Sequence, residues 1–294
     1  MPALRGLYGN MSGRLTPRGK AISVLGVFLL LGVALSVLNI PMVASAANPV
    51  AVKRIENAVP TDPRSPLWEE ASESVIPLSA QQIYQPGGGT TRMVHVRALE
   101  DGQDFAVMVS WDDDTRNDTL GTTPSDAVAV QLPIDPSHLP YQCMGQSTGR
   151  VNIWQWKAAL EREVIDNAGA SALTADATRN LTSNGICKAV DTPGTSPTAR
   201  SFHDGKMWHV VFHRALGKGD IGTAPLGGKE PSSVAFAVWN GARGEARGMK
   251  AISTWNTLQF ATAEESNAGN LLTLGAVLLA STAIVAFSMR RLAA

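Results

Sequence analysis

Cysteine is almost missing from this chain: Cys143 and Cys187 are the only two in 294 residues. No C-x-x-C pair occurs, which argues against iron–sulfur and structural zinc sites. No C-x-x-C-H occurs either, so covalent c-type haem attachment is excluded. The two thiols could pair in an oxidising compartment, and their number alone does not decide it. Acid is missing from both ends. Residues 1–46 carry Arg5, Arg14, Arg18 and Lys20 with no Asp or Glu, and the segment after Glu265 carries Arg290 and Arg291 with none. Setting those six bases aside leaves 19 bases against 25 acids, so the central body is negative although the whole chain is formally neutral. An acidic body without a basic stripe argues against nucleic acid as a partner. Internal repeats are absent. With 44% hydrophobic and 17% charged residues, the composition is not that of a disordered or disulfide-dense chain.

The two ends do have long uncharged runs. Val24–Leu38 is a 15-residue apolar stretch that follows a basic segment and precedes Ala44-Ser45-Ala46. That is the layout of a secretory signal peptide cut near Ala46; the alternative is an uncleaved anchor. Leu271–Met289 is 19 uncharged residues closed by Arg290-Arg291. As a helix it would rise about 28 Å, close to the hydrocarbon thickness, and the arginines would keep its end cytoplasmic. The expected division is 1–46 signal peptide, 47–267 extracytoplasmic body and 268–294 transmembrane anchor with a short tail. The protein is thus expected in the cytoplasmic membrane, in contact with lipid through a single pass, its body on the periplasmic side.

The body reads as mainly β. Residues 47–66, rich in proline, read as an extended lead-in. Strand-type runs follow at Thr91–Ala98, Asp104–Trp111, Asp126–Leu132, Asn152–Lys157, Met207–Arg214, Ser232–Trp239 and, as the last, Ala251–Trp255. Residues 167–200 and 214–231 read as loops, and Ala158–Ala170 as the one helix. Trp154 and Trp156 fall on one strand face. Many short strands with little helix indicate an antiparallel β-sandwich or barrel.

Several motifs are weaker than they look. Gly145-Gln146-Ser147-Thr148-Gly149 matches the hydrolase elbow, but neither the buried strand nor the helix that motif needs is expected around it. Asp112–Asp114 could hold calcium and reads better as a solvated turn. Gly87–Gly89 lacks the residues of a phosphate loop and reads as a flexible turn. His209 and His213 share a face without a third ligand, and Phe105, Phe202, Phe212 and Phe236 read as core. Two features stand out. Met144 lies in a loop between prolines and a glycine, where strand periodicity does not place it in a core. Lys250 leads from a glycine-rich turn into an apolar strand, so a partner or a route to solvent is needed.

Ser125–Pro133, Met144-Gly145, Val151–Lys157, Trp208–Leu216 and Val234–Trp255, together with Trp68 and Trp111-Asp112, resemble the haem b-binding gamma subunits of the ethylbenzene dehydrogenase type. That resemblance implies an antiparallel β-sandwich holding one haem b, with Met144 and Lys250 as axial ligands of its iron; Lys157, Lys229 and His213 are the weaker candidates. It implies an electron-transfer subunit, not itself an enzyme. Its partners would be a molybdenum-containing catalytic subunit and an iron–sulfur subunit, with a cytochrome c or membrane redox partner beyond. Cys143 beside the ligand and the C-terminal anchor depart from the family pattern. The competing reading is a haem-free, membrane-anchored β-sandwich that binds carbohydrate or another ligand.

Overall fold

The structure, a computed structural model, describes residues 49–168, 177–194, 196–217, 219–228 and 231–260. The expected signal peptide, the expected anchor, both domain boundaries and Lys229 lie outside the described residues. Among the described residues, no helix is long and apolar enough to cross a membrane.

The body is mainly β. Its strands are β1 (Val50–Arg54), β2 (Ser74–Pro77), β3 (Ser79–Ala80), β4 (Met93–Glu100), β5 (Asp104–Asp112), β6 (Ala127–Pro133) and β7 (Val151–Lys157). After helix α1 (Ala158–Ala168) come β8 (Thr178–Ser183), β9 (Val190–Asp191), β10 (Thr198–His203), β11 (Met207–Ala215), β12 (Ser232–Trp239), β13 (Ala251–Ile252) and β14 (Asn256–Phe260). Hydrogen bonding runs through them in the order β10-β11-β5-β4-β1-β14-β12-β6-β7-β8-β9, with β2, β3 and β13 attached at the sides.

This continuous sheet folds over itself like a sandwich. Phe105 of β5 meets Trp154 of β7 at 6.5 Å between ring centroids, and Trp154 meets Phe212 of β11 at 6.4 Å. Trp156 of β7 lies 6.3 Å from Trp111 and 5.1 Å from Trp208. These rings fill the space between the layers, and Trp154 and Trp156 do share one face, as their spacing requires. The outer face of the β4-β5-β11 layer is covered by the chain between β1 and β2, where Ile55, Val59 and Trp68 pack on Leu99, Met108 and Val211.

The structure corrects several expectations. Pairing is not wholly antiparallel: β1 runs parallel to both its neighbours, with Val50 opposite Leu258 and Val52 opposite Ala98. The expected lead-in therefore contains a structural strand. The run at Ala251–Trp255 ends at Ile252, and β14 follows it as the last described strand, because Ser253 Oγ turns back to accept from Phe236 N at 2.9 Å. Residues 167–200, expected as loop, hold β8, β9 and the start of β10 among the described residues; their polar sequences hid the alternation. Phe202 is 37% exposed rather than core, lying under Arg64. Asp113 is buried rather than solvated, with Oδ1 accepting from Thr115 N and Oγ1. Both cysteines are free, Cys143 buried and Cys187 exposed.

Candidate functional site

Strands of the second layer have two apolar faces. On β6, Val128, Val130 and Leu132 point into the sandwich, so Ala127, Ala129 and Gln131 must point out. On β12, Val234, Phe236 and Val238 point in, leaving Ala235, Ala237 and Trp239 outside. Registration aligns these outward residues in rows. Trp239, Ala127 and Lys157 form one; Ala237, Ala129, Gln155 and Arg179 the next; Ala235, Gln131, Ile153 and Leu181 the third. Rows two residues apart are separated by about 7 Å and neighbouring strands by about 5 Å, so this floor spans roughly 14 Å each way.

Over the floor lies a cavity of about 650 Å³. That is within the range of roughly 300–1,000 Å³ typical of small-molecule and cofactor sites. Four alanines on β6 and β12 keep the middle of the floor low, and the larger side chains stand around them, which leaves room for the cavity. Reading the sequence for reactive groups missed these residues. The signal was there: alanine at every second position of A-V-A-V and V-A-F-A-V, where a covered face normally carries larger residues.

Both Met144 and Lys250 line this cavity. Met144 sits on the loop before β7 in the left-handed region, at φ 66°, followed by Gly145 at φ 76°. Gly145 N donates to Tyr141 O at 3.0 Å, and Gln146 and Gly149 exchange backbone bonds, which closes a tight turn. The loop is tied down by Gln131 Nε2, which donates to Gln142 O at 2.8 Å, and by Trp255 Nε1, which donates to Pro140 O at 2.8 Å. The Gly145–Gly149 motif is therefore part of a turn, not the strand-to-helix elbow of a hydrolase.

Lys250 follows a compact turn between β12 and β13. Glu245 is buried there; its Oε1 accepts from Thr90 N and Oγ1, and its Oε2 from Asn240 N at 3.1 Å. Gln81 braces the same turn, donating through Nε2 to Gly248 O at 2.7 Å and through its backbone N to Lys250 O at 3.0 Å. Gly87–Gly89 is not merely flexible: a Cβ on Gly88 would stand 2.9 Å from the Met249 carbonyl carbon, so glycine lets this segment press against the lysine turn.

Lys250 itself is 8% exposed. Its Nζ lies 4.9 Å from the centroid of the Trp239 ring. Among the described residues it has no hydrogen-bond acceptor and no carboxylate partner. Burial pushes its pKa below the usual lysine value. An unpaired buried ammonium is costly, of the order of several kcal/mol, whereas the neutral amine has a lone pair free to act as a donor. Cys143 and Cys187 also line the cavity, and burial pushes the Cys143 thiol up, away from a thiolate. Lys157 lines it as well, whereas His213 does not: it lies 3.8 Å from Asp104 on the other layer. His209 bonds Ser110 Oγ at 2.9 Å, a packing role.

Comparison with known proteins agrees with this picture. Residues 65–193 match the family described as Ethylbenzene dehydrogenase. A protein of Haloferax mediterranei named "Putative respiratory nitrate reductase heme subunit ORF7" is 27% identical over 82% of this chain and 84% of its own length. The chlorate reductase subunit gamma of Ideonella dechloratans is 25% identical over 74% of this chain and 87% of its own. The resemblance to ethylbenzene dehydrogenase-type gamma subunits is thus borne out. Among solved structures, a family 9 carbohydrate binding module of Caldicellulosiruptor kristjanssonii in complex with cellotriose covers 75% of this chain at 12% identity, with a TM-score of 0.38. A likeness that distant is no basis for a shared ligand.

Proposed function

We propose that this chain is an electron-transfer subunit of the cytochrome b type. It carries electrons between a molybdenum- and iron–sulfur-containing oxidoreductase and a further redox partner, and performs no substrate chemistry itself. One observation carries the reading. Lys250, buried and without an acceptor or carboxylate among the described residues, lines the same cavity as the loop-borne thioether of Met144. The names of the two relatives, a nitrate reductase heme subunit and a chlorate reductase gamma subunit, point the same way.

The residues present fit haem b. Lys250 offers a nitrogen donor whose surroundings favour the uncharged form, the only form that can bind iron. Met144 offers a neutral sulfur donor on a loop pinned at both ends. The alanines together with Ile153 and Leu181 give the floor an apolar surface on which a macrocycle can lie. Bound there, the haem supplies a one-electron couple. Lys250 and Met144 would hold the group between them and would leave no free iron position for a substrate, which would suit electron transfer and not catalysis. The weak, neutral methionine donor favours the ferrous state and a raised potential.

The chain is exported, its signal peptide is removed near Ala46, and Leu271–Met289 holds it to the cytoplasmic membrane with the body outside. Protease added outside that membrane degrades the body, and the mature N-terminus lies near Ala47. A chain that keeps Met1 overturns the cleavage. Purified full-length protein carries a Soret band and a sharp alpha band on reduction. Protein that contains no haem, and takes up none when offered it, overturns the function.

A further inference from the structure

The charged residues lining the cavity are unequally served. Glu245 is the lining carboxylate, and both its oxygens are already occupied by Thr90 and Asn240. Against it stand Lys157, Arg179 and Arg247 besides Lys250. Lys157 is the least well compensated. It ends β7, and because Trp156 before it points into the sandwich, its stem must leave on the cavity face. There it is half-buried, and among the described residues its amine has no hydrogen bond and no ion pair. Burial and the neighbouring positive charge of Arg179 both disfavour its charged form. Arg179 reaches the same side from β8, where it stands opposite Gln155, one row in from Lys157. Among the described residues its carboxylate partner is Asp191 at 2.9 Å, itself 76% exposed in the side chain.

Two cations turned toward one edge of an apolar cavity, one of them unpaired, describe a seat for an anionic ligand edge. We infer that Lys157 and Arg179 bind the two carboxylates of the group held in this cavity, the propionates of haem. The inference rests on the function proposed above. It also moves Lys157, on sequence grounds a weaker candidate for the iron, to the rim of the macrocycle, where it fixes which edge faces the β7–β8 side. Donors held in place by adjacent strands select a carboxylate over its uncharged ester, because a charge-assisted hydrogen bond is about twice as strong as a neutral one.

The test titrates the haem-free full-length chain with iron protoporphyrin IX and with its dimethyl ester, following the Soret band. The native protein prefers the free acid by about tenfold or more. In the double variant Lys157→Met with Arg179→Met that preference falls to within about threefold, while the low-spin spectrum of the bound porphyrin is kept. Lys157→Arg retains the preference. Equal binding of acid and ester by the native chain overturns the carboxylate seat and leaves the haem function standing, as does an undiminished preference in the double variant. Failure of both porphyrins to bind the native chain overturns the function and the seat together.

Discussion

Lys250 Nζ stands 4.9 Å from the centre of the Trp239 indole, and that indole is itself fixed by its N–H, which donates to Arg247 O at 3.0 Å. The pair links the end of β12 to the start of β13. It places the amine over the first row of the cavity floor and supplies the π-face that a transient ammonium needs when the site is empty.

If Lys250 and Met144 are the ligands, their removal has unequal effects. Met144→Ala exchanges a weak donor for water, so haem is retained, a high-spin band appears and the potential falls. Lys250→Ala loses the stronger donor, and haem content drops about tenfold or more. Met144→His restores low-spin iron at a potential below that of the native protein. Unchanged low-spin spectra and full haem content in both alanine variants would sink the assignment.

Binding should depend on pH through Lys250. The amine binds iron only when neutral, so below its pKa each haem bound displaces a proton. Affinity therefore rises with pH, by up to about tenfold per unit, and levels off once the lysine is neutral. The same burial acts on the empty protein. Between the lowered folded pKa and the ordinary value near 10.4, the unfolded chain holds more protons, so stability increases with pH across that window. Lys250→Met abolishes both slopes, measured by titration and by chemical denaturation.

Gly248 has no room for a side chain: a Cβ there would lie 2.1 Å from Tyr84 O and 2.9 Å from Gln85 Cβ. Gly248→Ala must therefore shift the turn that presents Lys250. A cost of about 1–3 kcal/mol is expected, a fall in melting temperature of roughly 2–10 °C, together with weaker haem retention.

The alanine floor can be filled without touching the sandwich interior. Ala129→Leu projects from the middle row into the cavity, where nothing need be displaced in the empty protein. Its unfolding free energy changes by less than about 1 kcal/mol, while haem uptake falls sharply. A variant that binds haem normally would show that the macrocycle does not occupy this part of the cavity.

Much of this was legible in the residues. The runs at 104–111, 126–132 and 232–239 announced their strands because valine, alanine and phenylalanine alternate cleanly there. Met144 stood out between prolines and glycine, and Lys250 at the junction of a turn and an apolar run. Other parts depended on contacts distant in sequence. Val50–Arg54 is too short to declare itself, and its place is set by β4 and β14. Thr178–Ser183 and Thr198–His203 mix polar and apolar residues, with no wholly apolar face. Lys157 read as one lysine among several until the register put Arg179 beside it.

The position of β1 has a kinetic consequence. It is the first described strand, yet one of its two neighbours is β14, the last, and without Asn256–Phe260 the path from the β4 layer to the β12 layer is open. A chain emerging from its N-terminus can build hairpins such as β4–β5 and β6–β7, but cannot join its two layers until nearly the whole body has arrived. Such closure between distant segments is slow and leaves strand edges bare meanwhile. The floor and both cavity loops depend on the late-arriving β12–β14 segment, so cofactor loading must come late, as a final step on an almost complete sheet.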